Sequence, residues 1–476
     1  MKKQFSRRDF LKLAGGASLT VASASLLPRF LKKTLVADEV VQAASPFPDP
    51  DLFFAGTDGW FWLPPDPPIG IYHPDSYGPA TLSAGPAEFQ NFTTYIFGFR
   101  NVTGMTDTQR ENQQFKVQHN APFFWVDQYD ENKIDPNTGK PKEFRVQLTN
   151  LGLHLRPDLT DAHTIHWHGF RNVIPFYDGE PHGSISVPVG QFFTYVYRPR
   201  DPGTYMYHCH VEDVEHVTMG MTSLVFVRPL QNGDMTYYPS GKYAYNDGDG
   251  STGYDRENAL FLSEIWAEGH WGDAHIQESD WSTFKADFSL INGRVHPDTL
   301  LPNSPINLAA STNCLTVQTD SNGDLNTNPG YEHLQYNPHS SLITCNAGER
   351  VLLRFANLGF REAAMTLAGI KMNVIGRDAS PMKGRDGTDT SYLTNTILMG
   401  AGESFDCIFE APAFSGGSGS SGNGYDTYIL YNRRYTQESN LSPGGSGGQR
   451  TEVRVYPAGT LGPQQYINQH PDDLVA

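Results

Sequence analysis

Two stretches of this chain return later in degenerate form. RVQLTNLG at 145–152 is echoed by LLRFANLG at 352–359, and GQFFTYVY at 190–197 by GESFDCIF at 402–409. A repeat of this span implies two copies of one unit, each building its own core. Within the first copy apolar and polar residues alternate, as in Phe144–Leu148, Phe193–Tyr197 and Leu224–Val227, and no long helical period appears. With Gly 46 and Pro 33 among 476 residues, turns are plentiful. The expected fold is all-β, two tandem antiparallel sandwiches. The second echo sets Cys407 opposite Tyr195, so Cys407 reads as a core strand residue.

The first copy holds two histidine-rich segments that the second lacks. One is His163-Thr164-Ile165-His166-Trp167-His168-Gly169. The other is His208-Cys209-His210, followed by His216 and Met221. Successive side chains of a strand point to opposite faces. His208 and His210 therefore share one face, and Cys209 points to the other. His166 and His168 likewise share a face, and His163 points away from them. One face can collect His163, Cys209, His216 and Met221: two imidazoles, a thiolate and a weak thioether, the donor set of a type 1 copper. The other can collect His166, His168, His208 and His210, an imidazole cluster suited to a second copper centre.

These segments resemble the H-x-x-H-x-H-G and H-C-H…H…M motifs of the multicopper oxidase family. The similarity runs from about residue 86 to the end of the second copy. The resemblance implies cupredoxin-like Greek-key sandwiches. It implies type 1 copper on His163, Cys209, His216 and Met221, and a cluster that reduces dioxygen on His166, His168, His208 and His210. Asp178, in Tyr177-Asp178-Gly179, matches an acidic position that supplies protons to that cluster. The loop from Cys209 to His216 is longer than in laccases and shorter than in copper nitrite reductases, so the reducing substrate does not carry over.

The family builds its trinuclear cluster from four H-x-H pairs on two domains. Here Ala363 stands opposite His163, Thr366-Leu367-Ala368-Gly369 opposite His166–Gly169, and Tyr431-Asn432-Arg433 opposite His208–His210. His270, His275, His296, His333 and His339 show no H-x-H pair and read as surface or loop residues. Three readings follow. The cluster is completed by a second copy or another protein; or a type 1 copper works with a mononuclear type 2 copper, as in copper nitrite reductases; or the chain is a blue-copper electron carrier, whose acidic Glu212, Asp213 and Glu215 dock a basic partner.

Ser6-Arg7-Arg8-Asp9-Phe10-Leu11-Lys12 is a twin-arginine export motif, and the apolar run after it is too short to span a bilayer. The expected location is periplasmic or extracellular, with no transmembrane anchor. A net charge of −17 argues against a nucleic-acid partner and suits cationic or metal substrates. The expected divisions are a signal region over 1–45, an irregular N-terminal extension over 46–85, a copper-binding domain over 86–230, a linker over 231–255, a copper-free domain over 256–460 and a tail over 461–476. Of the four cysteines, Cys314 and Cys345 sit in loop-like sequence and are the expected disulfide, since an exported protein can form one.

Overall fold

The computed structural model describes residues 49–64, 93–171, 173–275, 279–417, 424–441 and 447–476. The export motif and most of the expected N-terminal extension lie outside them. The described residues form one compact unit. Its elements are almost all strands.

The first sandwich uses β1 (Leu52–Trp62), β2 (Thr93–Asn101), β3 (Phe124–Asp127), β4 (Phe144–Gly152), β5 (His166–His168), β6 (Phe192–Tyr197), β7 (Gly203–His208) and β8 (Thr222–Arg228). They pair in two sheets, β2-β1-β4-β6 and β3-β8-β7-β5. The second uses β9 (Arg256–Ile265), β10 (Phe288–Ile291), β11 (Ile343–Asn346), β12 (Arg350–Asn357), β13 (Ala363–Leu367), β14 (Met372–Arg377), β15 (Ser380–Pro381), β16 (Tyr392–Thr394), β17 (Thr396–Met399), β18 (Glu403–Glu410), β19 (Asp426–Asn432) and β20 (Arg450–Tyr456). One sheet runs β10-β9-β12-β18-β14-β15, with β16 on β14, and the other β11-β20-β19-β13-β17.

The sequence echoes are also echoes of register. Val146 pairs with Tyr195 as Leu353 pairs with Cys407. His166 pairs with His208 as Thr366 pairs with Tyr431. β1 runs parallel to β4 as β9 runs parallel to β12. Each half is thus the same unit, wound the same way.

Segment 52–62, expected to be irregular, is instead the strand β1, and it lies between β2 and β4. Gly56 and Gly59 hid it from a pattern search. Side chains of His163 and Val117 lie over those glycines, within 2.9 Å of where a Cβ would stand. Glycine within a strand marks such a close approach.

Each sandwich has its own core. Phe97, Phe124, Val146, Trp167, Tyr195, Tyr207 and Val225 belong to the first, and Leu353, Met365, Val374, Phe405 and Val453 to the second. Strand alternation lets β8 serve two cores. Val225 and Val227 face inward, while Leu224 and Phe226 join Phe261, Ile306 and Ala356 in a layer between the halves. Behind that layer Arg354 is fully buried. It donates to Glu257 at 2.8 Å and to Asp406 at 3.3 Å, and Arg228 donates to the other oxygen of Glu257 at 2.9 Å.

The expected Cys314–Cys345 disulfide is absent. All four cysteines are free and buried. Cys314 packs in the first core and Cys345 in the second, so no local motion could join them. Of the histidines read as surface or loop residues, His339 does lie in a loop and His270 lies on a helix, and both are fully buried. His270 Nδ1 donates to the Tyr95 carbonyl at 2.6 Å, and the His339 ring packs on Phe123 with centroids 4.3 Å apart. Neither joins a group of three or more donors among the described residues.

Candidate metal centre

His163, Cys209 and His216 are buried together, with one donor atom of each within 4.8 Å of the others. Cys209 Sγ lies 3.2 Å from His216 Nδ1. The backbone fixes each residue. His163 exchanges two main-chain hydrogen bonds with Val187, at 3.0 and 2.8 Å. The loop after β7 closes on itself: the Cys209 amide donates to the Met221 carbonyl at 3.0 Å, and the Met221 amide to the His216 carbonyl at 2.9 Å. Within that loop the helix Asp213–Met219 ends at Gly220, whose φ is 123°. A Cβ there would stand 2.7 Å from the Phe97 carbonyl, so only glycine returns the chain to β8. Met221 is buried, and its methyl group shares the space over Gly56 with the His163 ring.

Both ring nitrogens of His163 are buried without a hydrogen-bond partner. Such atoms are costly to leave unpaired and call for an explanation. Burial, and then the neighbouring His216, hold the His163 imidazole neutral, well below the usual histidine range. Burial also works against protonation of His216, but Cys209 and Asp161 outweigh it and raise that group to about 10. A neutral imidazole, an imidazole beside a thiol sulfur and a nearby thioether form a donor set that fits copper. The Thr164 amide points at Cys209 Sγ from 3.4 Å, a hydrogen bond that would stabilise a thiolate.

The second group lies on the opposite face of the same strands. Donor atoms of His166, His168 and His208 fall within 4.8 Å of one another. The His210 ring stands 5.0 Å from His166 and 5.5 Å from His208, centroid to centroid. His166 Nδ1 donates to the Asp178 carbonyl at 2.7 Å, and the Asp178 carboxylate lies 3.6 Å from the same nitrogen. His208 Nδ1 donates to the Cys209 carbonyl at 2.8 Å, and its Nε2 lies 3.4 Å from His168 Nδ1. Fixing one ring nitrogen leaves the other free for a metal. Desolvation lowers His166 and His168, and takes His208 to about 3, so all three are neutral imidazoles.

Among the described residues the second half brings together no such group of donors. Asn432, one residue past the partner of Thr366, occupies the place of Cys209. Its amide donates to Gln449 at 2.8 Å and to Gln437 at 3.2 Å, and Gln437 in turn donates to Glu264 at 3.2 Å. A satisfied amide network has taken the space of a metal pocket. The second half still meets the histidine cluster through its backbone. A Cβ on Gly402 would stand 3.1 Å from His168 Nε2.

Three contributors escaped the sequence reading. Asp161, with Oδ2 3.9 Å from His216 Nε2, had one signal in the sequence, its place two residues before His163. Gly56 and Gly402 carry no chemical signal at all. They matter through the space that they leave.

Residues 145–232 match the family model described as multicopper oxidase. A multicopper oxidase, aurL2, of Gibberella zeae is 50% identical over 52 residues, 10% of this chain and 9% of that protein. Laccase-like multicopper oxidase 1 of Thermothelomyces thermophilus is 37% identical over 95 residues, 19% of this chain and 13% of that protein. The chain thus spans under a sixth of the length of either curated relative. Among solved structures, a blue copper oxidase from Nitrosomonas europaea superposes with a TM-score of 0.50 at 18% identity, covering 85% of each chain. The multicopper oxidase mgLAC does so with the same score and identity, covering 88% of this chain and 90% of that one. These likenesses establish the cupredoxin-type fold, and the sequence match implies copper as the cofactor. Residues 145–232 of this chain thus resemble the multicopper oxidase family model, and they lie in a pair of cupredoxin-like sandwiches.

Proposed function

We propose that this protein is an exported copper oxidoreductase of the multicopper oxidase type. It takes single electrons from a reducing substrate or redox protein and delivers them to dioxygen. His163, Cys209, His216 and Met221 would hold type 1 copper, and His166, His168, His208 and His210 would hold the oxygen-reducing copper. Copper, when bound, supplies the one-electron redox change and the oxygen chemistry.

The observation that carries this reading is the pairing of the two donor groups through one strand. The Cys209 side chain enters the first group, and its covalent neighbours His208 and His210 enter the second. The chain thus offers a short bonded route between the centres. The protein's other tasks follow from its own residues. The Asp178 carbonyl fixes the His166 ring, and the Asp178 carboxylate, partly open to solvent, can pass protons toward the histidine cluster. Gly179 makes that turn possible: its φ is +77°, and it packs against the Ile165 carbonyl where no Cβ would fit. Burial of His163, Cys209 and His216 keeps water from the electron-accepting centre.

The chain supplies two H-x-H pairs, so a full trinuclear cluster requires ligands from a second copy or another subunit. A specific observation favours a second reading. His166, His168 and His208 converge within one chain, enough for a mononuclear type 2 copper. Copper per chain on copper-saturated protein separates the readings. A value clearly above two supports the shared cluster. A value near two, with nitrite turnover, supports the type 1 and type 2 arrangement. A value near one, with no oxygen consumed, leaves a blue electron carrier and refutes the oxidase reading.

A further inference from the structure

Arg354, Arg294 and Arg100 are among the largest fully buried side chains of this protein. A guanidinium carries five N–H donors, and burying it without partners is costly. Arg354 faces two carboxylates, Glu257 and Asp406. Arg294 has no carboxylate, but it donates to the carbonyls of Asn337, Asp298, Leu301 and Pro302. Arg100, on β2, has neither arrangement. Its Nε donates to Gln113 Oε1 at 3.3 Å and its Nη2 to the Gly323 carbonyl at 3.1 Å, and its other N–H groups have no partner among the described residues. Asp324 lies near enough to act on it but is paired with Lys116. Burial therefore prevails over Tyr336 and Asp324 and pulls the Arg100 guanidinium down to about 10.

The same arginine lines a cavity of about 220 Å3 between the two halves. Leu315, Val317 and Leu325, all buried, give the cavity an apolar wall, and the exposed Ala310 and Thr319 lie at its mouth. An apolar cavity with one charged group at its inner end is the usual form of a small-molecule site.

We propose that this cavity binds a small carboxylate, whose oxygens accept from the remaining N–H groups of Arg100 and whose short apolar body lies against Leu315, Val317 and Leu325. The planar fork of a guanidinium matches a carboxylate in shape and charge. It would match a phosphate as well, but the apolar wall favours an anion with an alkyl body. No bond to the protein is made or broken. The proposal is independent of the copper reading, since none of these residues belongs to either donor group. Arg100 comes from the first half and the apolar wall from the second, so the ligand stabilises the contact between them.

Propionate is the probe, with propionamide as its neutral counterpart of the same shape and inorganic phosphate as the competing anion. Binding to the copper-loaded protein is followed by calorimetry, and the thermal midpoint is measured with and without each compound. The expected result is one propionate per chain, a raised midpoint, and binding of propionamide and of phosphate weaker by about tenfold or more, since the hydrogen bonds to the charged group are lost in one and the apolar contacts in the other. Arg100→Met should weaken propionate binding to the same degree. Ala310→Trp, at the exposed mouth, keeps the guanidinium and obstructs the entrance; it should do likewise, and it carries the test if Arg100→Met fails to fold. Propionate binding that is unchanged in the folded variants overturns the proposal, because the acid would then sit elsewhere, at the copper centres included. A wild type that binds no propionate also overturns it, and one that binds phosphate more tightly overturns the carboxylate assignment.

Discussion

Substituting Gly56 tests whether the first donor group is built as described. Gly56 lies in β1 at a shift of register against β4, and its φ is outside the left-handed region, so alanine meets no left-handed penalty there. It meets the His163 ring: the new Cβ would stand 2.9 Å from His163 Cδ2, and 3.6 Å from the Met221 methyl carbon. Carbon atoms pack best at about 3.5–4.0 Å, so the ring must retreat by roughly 0.6 Å or more. The His163 main chain is tied on both sides to Val187 and cannot follow, so the ring swings toward His216, whose centroid is 5.0 Å away. Overpacking of this kind costs about 1–3 kcal/mol. Copper-free Gly56→Ala should therefore unfold earlier in denaturant by that amount. The copper-loaded protein should lose more, because a displaced ligand weakens the binding that stabilises the folded state. The blue band and the copper EPR signal should shift together. Gly400→Ala is the control, since its nearest neighbour to a new Cβ is 3.6 Å away and its backbone is unstrained. If Gly56→Ala matched wild type in midpoint, absorption and EPR, the placement of His163 over β1 would be wrong.

Cys209→Ser should abolish the blue colour, because that band needs a copper–thiolate bond, while circular dichroism in the far ultraviolet stays that of the wild type; a variant that remained blue would remove Cys209 from the centre. Glu257→Gln should destabilise the protein by about 3–5 kcal/mol in equilibrium unfolding, since it leaves the buried Arg354 guanidinium short of one carboxylate. The same carboxylate predicts an acid limit. Burial would raise it, but Arg354 and then Arg228 prevail and hold it at about 2, against 4.5 when free. Its folded value is depressed, so its contribution is present above about 4.5 and is lost as pH falls toward 2. Unfolding followed between pH 5 and 2 should show that loss in the wild type and a flatter profile in Glu257→Gln.

Register was legible in this sequence because it is a matter of spacing. An H-x-H pair on a strand must share a face, and the Cys209 between two such histidines must point the other way; no tertiary information is needed for either statement. The same arithmetic related Val146 to Leu353 and Tyr195 to Cys407, and those residues do pair with one another in matching positions. What spacing could not supply is what happens where side chains are missing. Gly56 and Gly59 broke the alternation of β1, which therefore read as irregular, yet a central strand needs glycine there because His163 and Val117 cross over it. Histidine burial was misjudged for a related reason. His270 lies on a helix of the second half but is fixed by the Tyr95 carbonyl of the first, a contact between residues 175 apart that no local window contains. The acidic residues around His216 fall between these cases. Their charge and their nearness to His216 in sequence were visible, but a charge run in a loop usually faces water. Only the burial of the His216 ring, which faces Asp161, distinguishes a solvated loop from carboxylates gathered around one imidazole.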